Sequence, residues 1–87
     1  MPRYLSQHTL ACLTRQGATD LVRRAHAATD VTAKRVLLNM QEGKMLIEFD
    51  VADRAKLERW LAAENFHFDW LLRIEFESVD GRLEPIQ

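Results

Sequence analysis

Val36-Leu37-Leu38-Asn39-Met40-Gln41-Glu42-Gly43-Lys44-Met45-Leu46-Ile47-Glu48-Phe49-Asp50 carries the plainest signal in the chain. Before Gln41, Val36, Leu38 and Met40 alternate with Arg35, Leu37 and Asn39. After Lys44, Met45, Ile47 and Phe49 alternate with Leu46, Glu48 and Asp50. A period of two on both sides of a Gly-containing turn predicts a β-hairpin, with its first strand beginning near Thr32. Each strand has one apolar parity and one mixed parity, as expected of a sheet covered on one side only.

On the C-terminal side, Asp53 is placed as a helix N-cap, and Leu57, Trp60 and Leu61 recur at helical spacing. Asn65 then suits a left-handed stop just past Glu64. Beyond Phe66-His67-Phe68-Asp69, the residues Trp70, Leu72, Ile74 and Phe76 alternate with Leu71, Arg73, Glu75 and Glu77, which predicts another strand. Ser78-Val79-Asp80-Gly81 reads as a turn, and Arg82 to Gln87 as a tail able to add a short edge strand. On the N-terminal side, Tyr4 to Leu10 predicts the opening strand. Thr14 is a helix N-cap, followed by Ala18, Leu21, Val22, Ala25 and Ala28 on one face of a helix ending near Thr29-Asp30.

Strand, helix, strand, strand, helix, strand is the order of an α+β, ferredoxin-like βαββαβ domain: a four-stranded antiparallel sheet with two helices on one face. Residues 1–87 are expected to form one such domain. The expected core face comprises Val36, Leu38, Met40, Met45, Ile47, Phe49, Trp70, Leu72, Ile74 and Phe76. The expected open face holds Arg35, Leu37, Asn39, Leu46, Glu48, Asp50, Leu71, Arg73 and Glu75.

Composition narrows the functional classes. Twelve Lys+Arg against thirteen Asp+Glu, interspersed, create no basic field for nucleic-acid phosphates or anionic lipid, so neither partner is expected. The longest apolar runs are a few residues, which predicts no membrane span and no signal peptide. A single Cys excludes an internal disulfide framework, and a reducing, cytoplasmic setting is expected.

The element order resembles the dimeric α/β-barrel superfamily, whose small members pair two sheets face to face around a cavity. Met-Pro-Arg-Tyr-Leu leading to the Thr14 helix, Met45 to Phe49 leading to Asp53, and Asn65-Phe66-His67-Phe68 before the last strand also resemble a family of short proteins, a domain of unknown function with nickel-binding members. This resemblance implies a homodimer, a cavity and a divalent metal such as nickel or zinc, without a ligand set that maps onto these residues.

Two groups of side chains invite chemistry. His8, sharing its strand face with Ser6 and Tyr4, and His67, beside Asp69, are the candidate metal ligands. Arg35 and Arg73 are candidate clamps for an anionic or polar ligand, with Glu48 or Glu75 as a base. Cross-strand ion pairing is the plainer role for those four, local hydrogen bonding for the histidines, and hydrophobic packing for Cys12. The expected function is a small homodimeric binding module with a ligand or metal site on the open sheet face. A cofactor-free isomerase or monooxygenase-like enzyme and an accessory protein-interaction subunit are the alternatives.

Overall fold

The computed structural model describes residues 1–11 and 14–86; Cys12, expected as a buried hydrophobe, lies outside the described residues. The elements are β1 (Arg3–Thr9), α1 (Arg15–Ala27), β2 (Thr32–Asn39), β3 (Lys44–Asp50), α2 (Arg54–Ala63), β4 (Trp70–Ile74), β5 (Phe76–Val79) and β6 (Arg82–Pro85). β1 to β4 form an antiparallel sheet in the order β2-β3-β1-β4, and β5 and β6 form a separate two-stranded sheet. β1 and β2 are thus parallel with β3 between them, and β3 and β4 are parallel with β1 between them. Each of these two crossovers carries one helix.

Local chemistry sets the boundaries. Thr14 is extended and its hydroxyl accepts the Gly17 N–H at 3.0 Å, while the Asp53 carboxylate accepts the Lys56 N–H at 2.8 Å. Each cap satisfies a donor that has no partner within its helix. Asn65 adopts φ 60°, and the Phe66 N–H returns to the Leu61 carbonyl at 2.8 Å, which closes α2. In the β2–β3 turn Gly43 has φ 67°, and a Cβ there would sit 2.7 Å from the Leu10 carbonyl oxygen. Glycine is needed twice over, for its left-handed backbone and for the close approach that lets Leu10 N–H donate to the Gly43 carbonyl.

Both helices contribute to one core on one face of the sheet. Ala25 from α1 and Leu57, Trp60 and Leu61 from α2 pack with Tyr4, Met45, Ile47, Phe49 and Leu71 from the strands. The i, i+3, i+4 spacing of the α2 trio makes a narrow stripe that faces the sheet. Phe49 meets Trp60 edge-on at 5.8 Å, and Trp60 leads to Phe66 at 5.4 Å, so aromatic contacts tie the central strand to the α2–β4 connection.

The hairpin reading holds for Met45, Ile47 and Phe49, whereas Leu38 and Met40 are exposed. The last strand of the sheet is turned the other way from expectation. Leu71 is 8% exposed and Leu72 54%, so Leu71 belongs to the core, and Trp70, Leu72 and Ile74 lie on the opposite parity. The cause is register: Leu71 stands opposite Ser6 and Arg73 opposite Tyr4, and directly paired residues share a face. Arg73 is therefore on the helix side of the sheet rather than its open side. The strand also ends at Ile74; the expected turn is present at Asp80-Gly81 and the tail does form a strand, but it pairs with Phe76–Val79 in a separate hairpin rather than extending the sheet. Asp80 and Gly81, at φ 52° and 78°, make its two-residue turn.

Candidate functional site

The open face follows from the same register. One row across the sheet reads Leu37, Leu46, Gln7, Trp70; the next reads Arg35, Glu48, Leu5, Leu72; the third pairs Thr32, Asp50, Arg3 and Ile74. Leucines and a tryptophan cross this face, and neither helix of the core lies over it. A charged cluster occupies one end. Arg3 reaches Glu48, Asp50 and Glu77, each at 3.4 Å, Arg35 reaches Glu48 at 3.5 Å, and Lys34 reaches Asp50 at 3.5 Å. Three cations and three carboxylates balance there.

A recess of about 260 Å³ opens beside this cluster, with Arg3, Leu5, Arg35, Leu37, Leu46 and Glu48 around it. Glu77 and Ile86, from and after the β5–β6 hairpin, form one wall. The two arginines differ in freedom: the Arg3 side chain is 19% exposed among three carboxylates, and that of Arg35 is 66% exposed with one. Arg35 thus has guanidinium N–H groups to offer a ligand, and Arg3 holds the floor together. A larger groove, about 570 Å³, runs past the end of α1 and along α2, lined by Asp30, Lys56, Arg59, Trp60 and Glu64. It combines both charge signs, with Glu64 paired to Arg24 at 3.3 Å, and its walls come from α2 and the segment that follows α1.

Of the four residues expected on this face, Arg35 and Glu48 are brought together. Arg73 lies on the other side, and Glu75 sits at the junction of β4 and β5, where its carbonyl accepts the Ile86 N–H at 2.8 Å. Arg3 and Glu77 were not anticipated. Their signal was available only through topology, since Arg3 gains its partners from residues 45, 47 and 74 positions away along the chain.

The histidines are placed differently. His8 and Ser6 are enclosed on the core face, with the Ser6 hydroxyl 2.8 Å from His8 Nε2 and His8 Nδ1 2.8 Å from the His67 carbonyl. A carbonyl only accepts, so Nδ1 carries the proton and Nε2 accepts the Ser6 O–H. Burial lowers the His8 pKa, opposed by the His67 hydrogen bond and the Asp69 charge, which keeps the ring neutral at pH 7. The hydroxyl also approaches the Ile47 carbonyl at 3.4 Å. Both ring nitrogens are occupied, and a metal at His8 would have to displace one of these partners. His67 lends its backbone to His8 and is itself exposed. Asp69 is engaged by the Thr9 hydroxyl at 2.6 Å and the Gln7 amide at 3.2 Å, which lower its pKa, and by Lys44 at 3.9 Å. Among the described residues no group of three His, Cys, Asp or Glu side chains is arranged to hold a metal ion. No helix described is long and apolar enough to cross a membrane.

What the arrangement offers chemically is a partly apolar recess with one accessible guanidinium and a fixed ion-pair floor. Comparison of the chain with protein-family models, with curated proteins and with solved structures finds no match.

Proposed function

We propose that this chain is a small ligand-binding module that works as a homodimer, ferredoxin-like in fold, with the open faces of two sheets meeting around the Arg3–Arg35–Glu48 recess. The fold reading is supported by the sheet order, which from the β4 edge runs β4-β1-β3-β2 with a helix in each crossover and both helices in one core. The observation that carries the functional reading is the apolar side chains left on the uncovered face. Leu72, Leu37 and Trp70 are exposed on the side of the sheet that neither helix covers. Contiguous apolar surface of this kind, rimmed by charge, is the usual mark of an association or ligand site.

The ligand class follows from the lining. Leu5, Leu37, Leu46 and Ile74 favour an apolar body, and the Arg35 guanidinium favours a carboxylate or similar acidic group at one end. Glu48, held between Arg3 and Arg35, keeps that guanidinium aimed across the recess.

Native mass spectrometry and analytical ultracentrifugation of the wild type and Leu72→Glu test the assembly. A wild-type dimer that Leu72→Glu converts to a folded monomer is expected. A wild type that stays monomeric at tens of micromolar overturns the homodimer. Fluorescence titration with anilinonaphthalene sulfonate, an apolar probe bearing one anionic group, tests the recess: Arg35→Gln should weaken binding at least fivefold, and equal affinity overturns the assignment of Arg35.

A further inference from the structure

The groove between the end of α1 and α2 lies on the helix-covered side of the sheet, away from the recess, and its charges are disposed differently. Most cations of the chain sit against a carboxylate. Among the described residues only Arg15, Lys56, Arg59 and Arg73 of the lysines and arginines make no ion pair. Two of these four, Lys56 and Arg59, line this one groove. They stand three positions apart on α2, as neighbours on the helix surface, and like charges so placed repel each other when no counter-charge lies beside them. Asp30 lines the same groove and is also without an ion pair. Opposite charges thus share a groove without meeting.

The surroundings hold the groove open. Ala27 and Ala28 at the end of α1 and Ala63 on α2 are the small residues along it, and they leave about 570 Å³. That lies within the roughly 300–1,000 Å³ of small-molecule sites. Arg24 of α1 reaches Glu64 at the end of α2, pairing with its carboxylate at 3.3 Å and donating to its carbonyl, and its guanidinium lies 4.8 Å over the Phe66 ring. Glu64 is thereby neutralised, and the ends of the two helices are pinned together. Trp60, nearly buried against Phe49 and Phe66, gives the groove a fixed apolar base. Asp30 follows the C-terminal end of α1, where unpaired carbonyls add partial negative charge.

We propose that this groove binds an acidic amino acid, a ligand carrying one ammonium and two carboxylates. The class follows from what is left unpaired: Lys56 and Arg59 for the two carboxylates, Asp30 and the end of α1 for the ammonium. A plain dianion would satisfy the cations and be repelled by Asp30. A ligand with a single carboxylate would leave one cation of α2 without a partner. Sites built from paired recognition of this kind reject analogues that lack one of the groups. The groove is on the other side of the sheet from Leu72, so this inference does not depend on the homodimer.

Amide NMR titration of the nitrogen-labelled wild type with L-glutamate, L-glutamine and glutarate tests it. Glutamate should give saturable shifts at the Trp60 indole and at the amides of residues 27–30 and 59–64. Glutamine, lacking one carboxylate, and glutarate, lacking the ammonium, should each bind about fivefold more weakly or worse. Lys56→Gln and Arg59→Gln should each weaken glutamate by a similar factor, about fivefold. Asp30→Asn should weaken glutamate while leaving glutarate equal or tighter, which loss of folding would not do. Leu72→Glu should leave glutamate binding unchanged, so failure of the homodimer and failure of this site are told apart. No saturable shift at tens of millimolar glutamate overturns the proposal. Glutarate as tight as glutamate, or Asp30→Asn tightening both, makes the groove a simple anion site and overturns it as well. Glutamate affinity unaffected by both Lys56→Gln and Arg59→Gln would place the ligand elsewhere.

Discussion

The two faces of the sheet use the same strands and the same alternation, and they solve different problems. On the helix side, Tyr4, Met45, Ile47, Phe49 and Leu71 are buried, and the polar residues among them are satisfied within the chain, Ser6 by His8 and His8 by His67. No buried side-chain nitrogen or oxygen among the described residues lacks a partner. On the open side, leucines lie beside an ionic cluster, and Leu37 and Leu72 remain exposed. One face completes the fold of a single chain, and the other leaves apolar side chains in water.

The largest expected effect separates the two directly. Phe49→Ala removes a fully buried ring from between β3 and Trp60, and truncations of this kind cost about 3–5 kcal/mol. That is a large part of the roughly 4–13 kcal/mol available to a domain of this length. Leu72→Ala, at a half-exposed position, should cost the isolated monomer less than about 1 kcal/mol. Urea denaturation at low concentration measures both, and equal losses would mean the open face is packed within one chain. Next in size, Leu72→Glu should raise the dimer dissociation constant a hundredfold or more, about 2.7 kcal/mol, by burying an unpaired carboxylate. Concentration-dependent sedimentation reads it, and an unchanged constant would move the interface off this face.

How far this division could be read in advance depends on the strand. In the β2–β3 hairpin the parity at Met45, Ile47 and Phe49 is apolar against Glu48 and Asp50, and the faces separate on sight. The caps at Thr14 and Asp53 and the stop at Asn65 are equally local, each a side chain or backbone preference acting within a few residues. Trp70-Leu71-Leu72-Arg73-Ile74 is different: both parities contain leucine, and Trp70 and Ile74 add weight to the one that faces out. Only the pairing of Leu71 with Ser6 decides it, and that pairing spans most of the chain. An apolar outer parity is itself a sign of an interface. Asp80-Gly81, by contrast, is a strong two-residue hairpin signal between Val79 and Arg82; the turn was legible there, and the departure of Phe76 to Val79 from the sheet to pair with the tail was not. Of the recess, Arg35 and Glu48 were legible by alternation. Arg3 was not, because its carboxylates come from two strands, β3 and β5, far along the chain.

Acid should weaken the helix-covered face first. Burial lowers the His8 pKa below its ordinary value, so the unfolded chain takes up a proton that the folded chain refuses. Stability is full above about pH 6.5 and falls as pH drops below it, until the folded value is passed, with a slope of at most about 1.4 kcal/mol per pH unit. Ser6, the His67 carbonyl, Phe66 and the Asp69 carboxylate are the groups that meet the ring or its field. Asp69, its pKa lowered by Thr9 and Gln7, adds a second loss only near and below the ordinary carboxylate range. Thermal midpoints from pH 7.5 to 5 should decline in the wild type and stay nearly level in His8→Gln. A flat wild-type profile would show that the ring reaches water.

The smallest effect belongs to the ion-pair floor of the open face. Arg3 sits among Glu48, Asp50 and Glu77 and is the only one of the three cations there that touches all three carboxylates. Arg3→Gln keeps a donor in place and removes the charge, leaving three carboxylates that repel one another. Each of these contacts is partly exposed, so the loss should be about 1 kcal/mol, and salt should change its size. In 20 mM salt the variant should melt several degrees below the wild type, and in 0.5 M salt, where the carboxylates no longer repel strongly, the gap should narrow by half or more. A gap that is the same at both salt concentrations would mean that Arg3 acts through the packing of its aliphatic stem against the strand row rather than through its charge. The cluster would then be a solvated rim, and the apolar side chains alone would distinguish the open face.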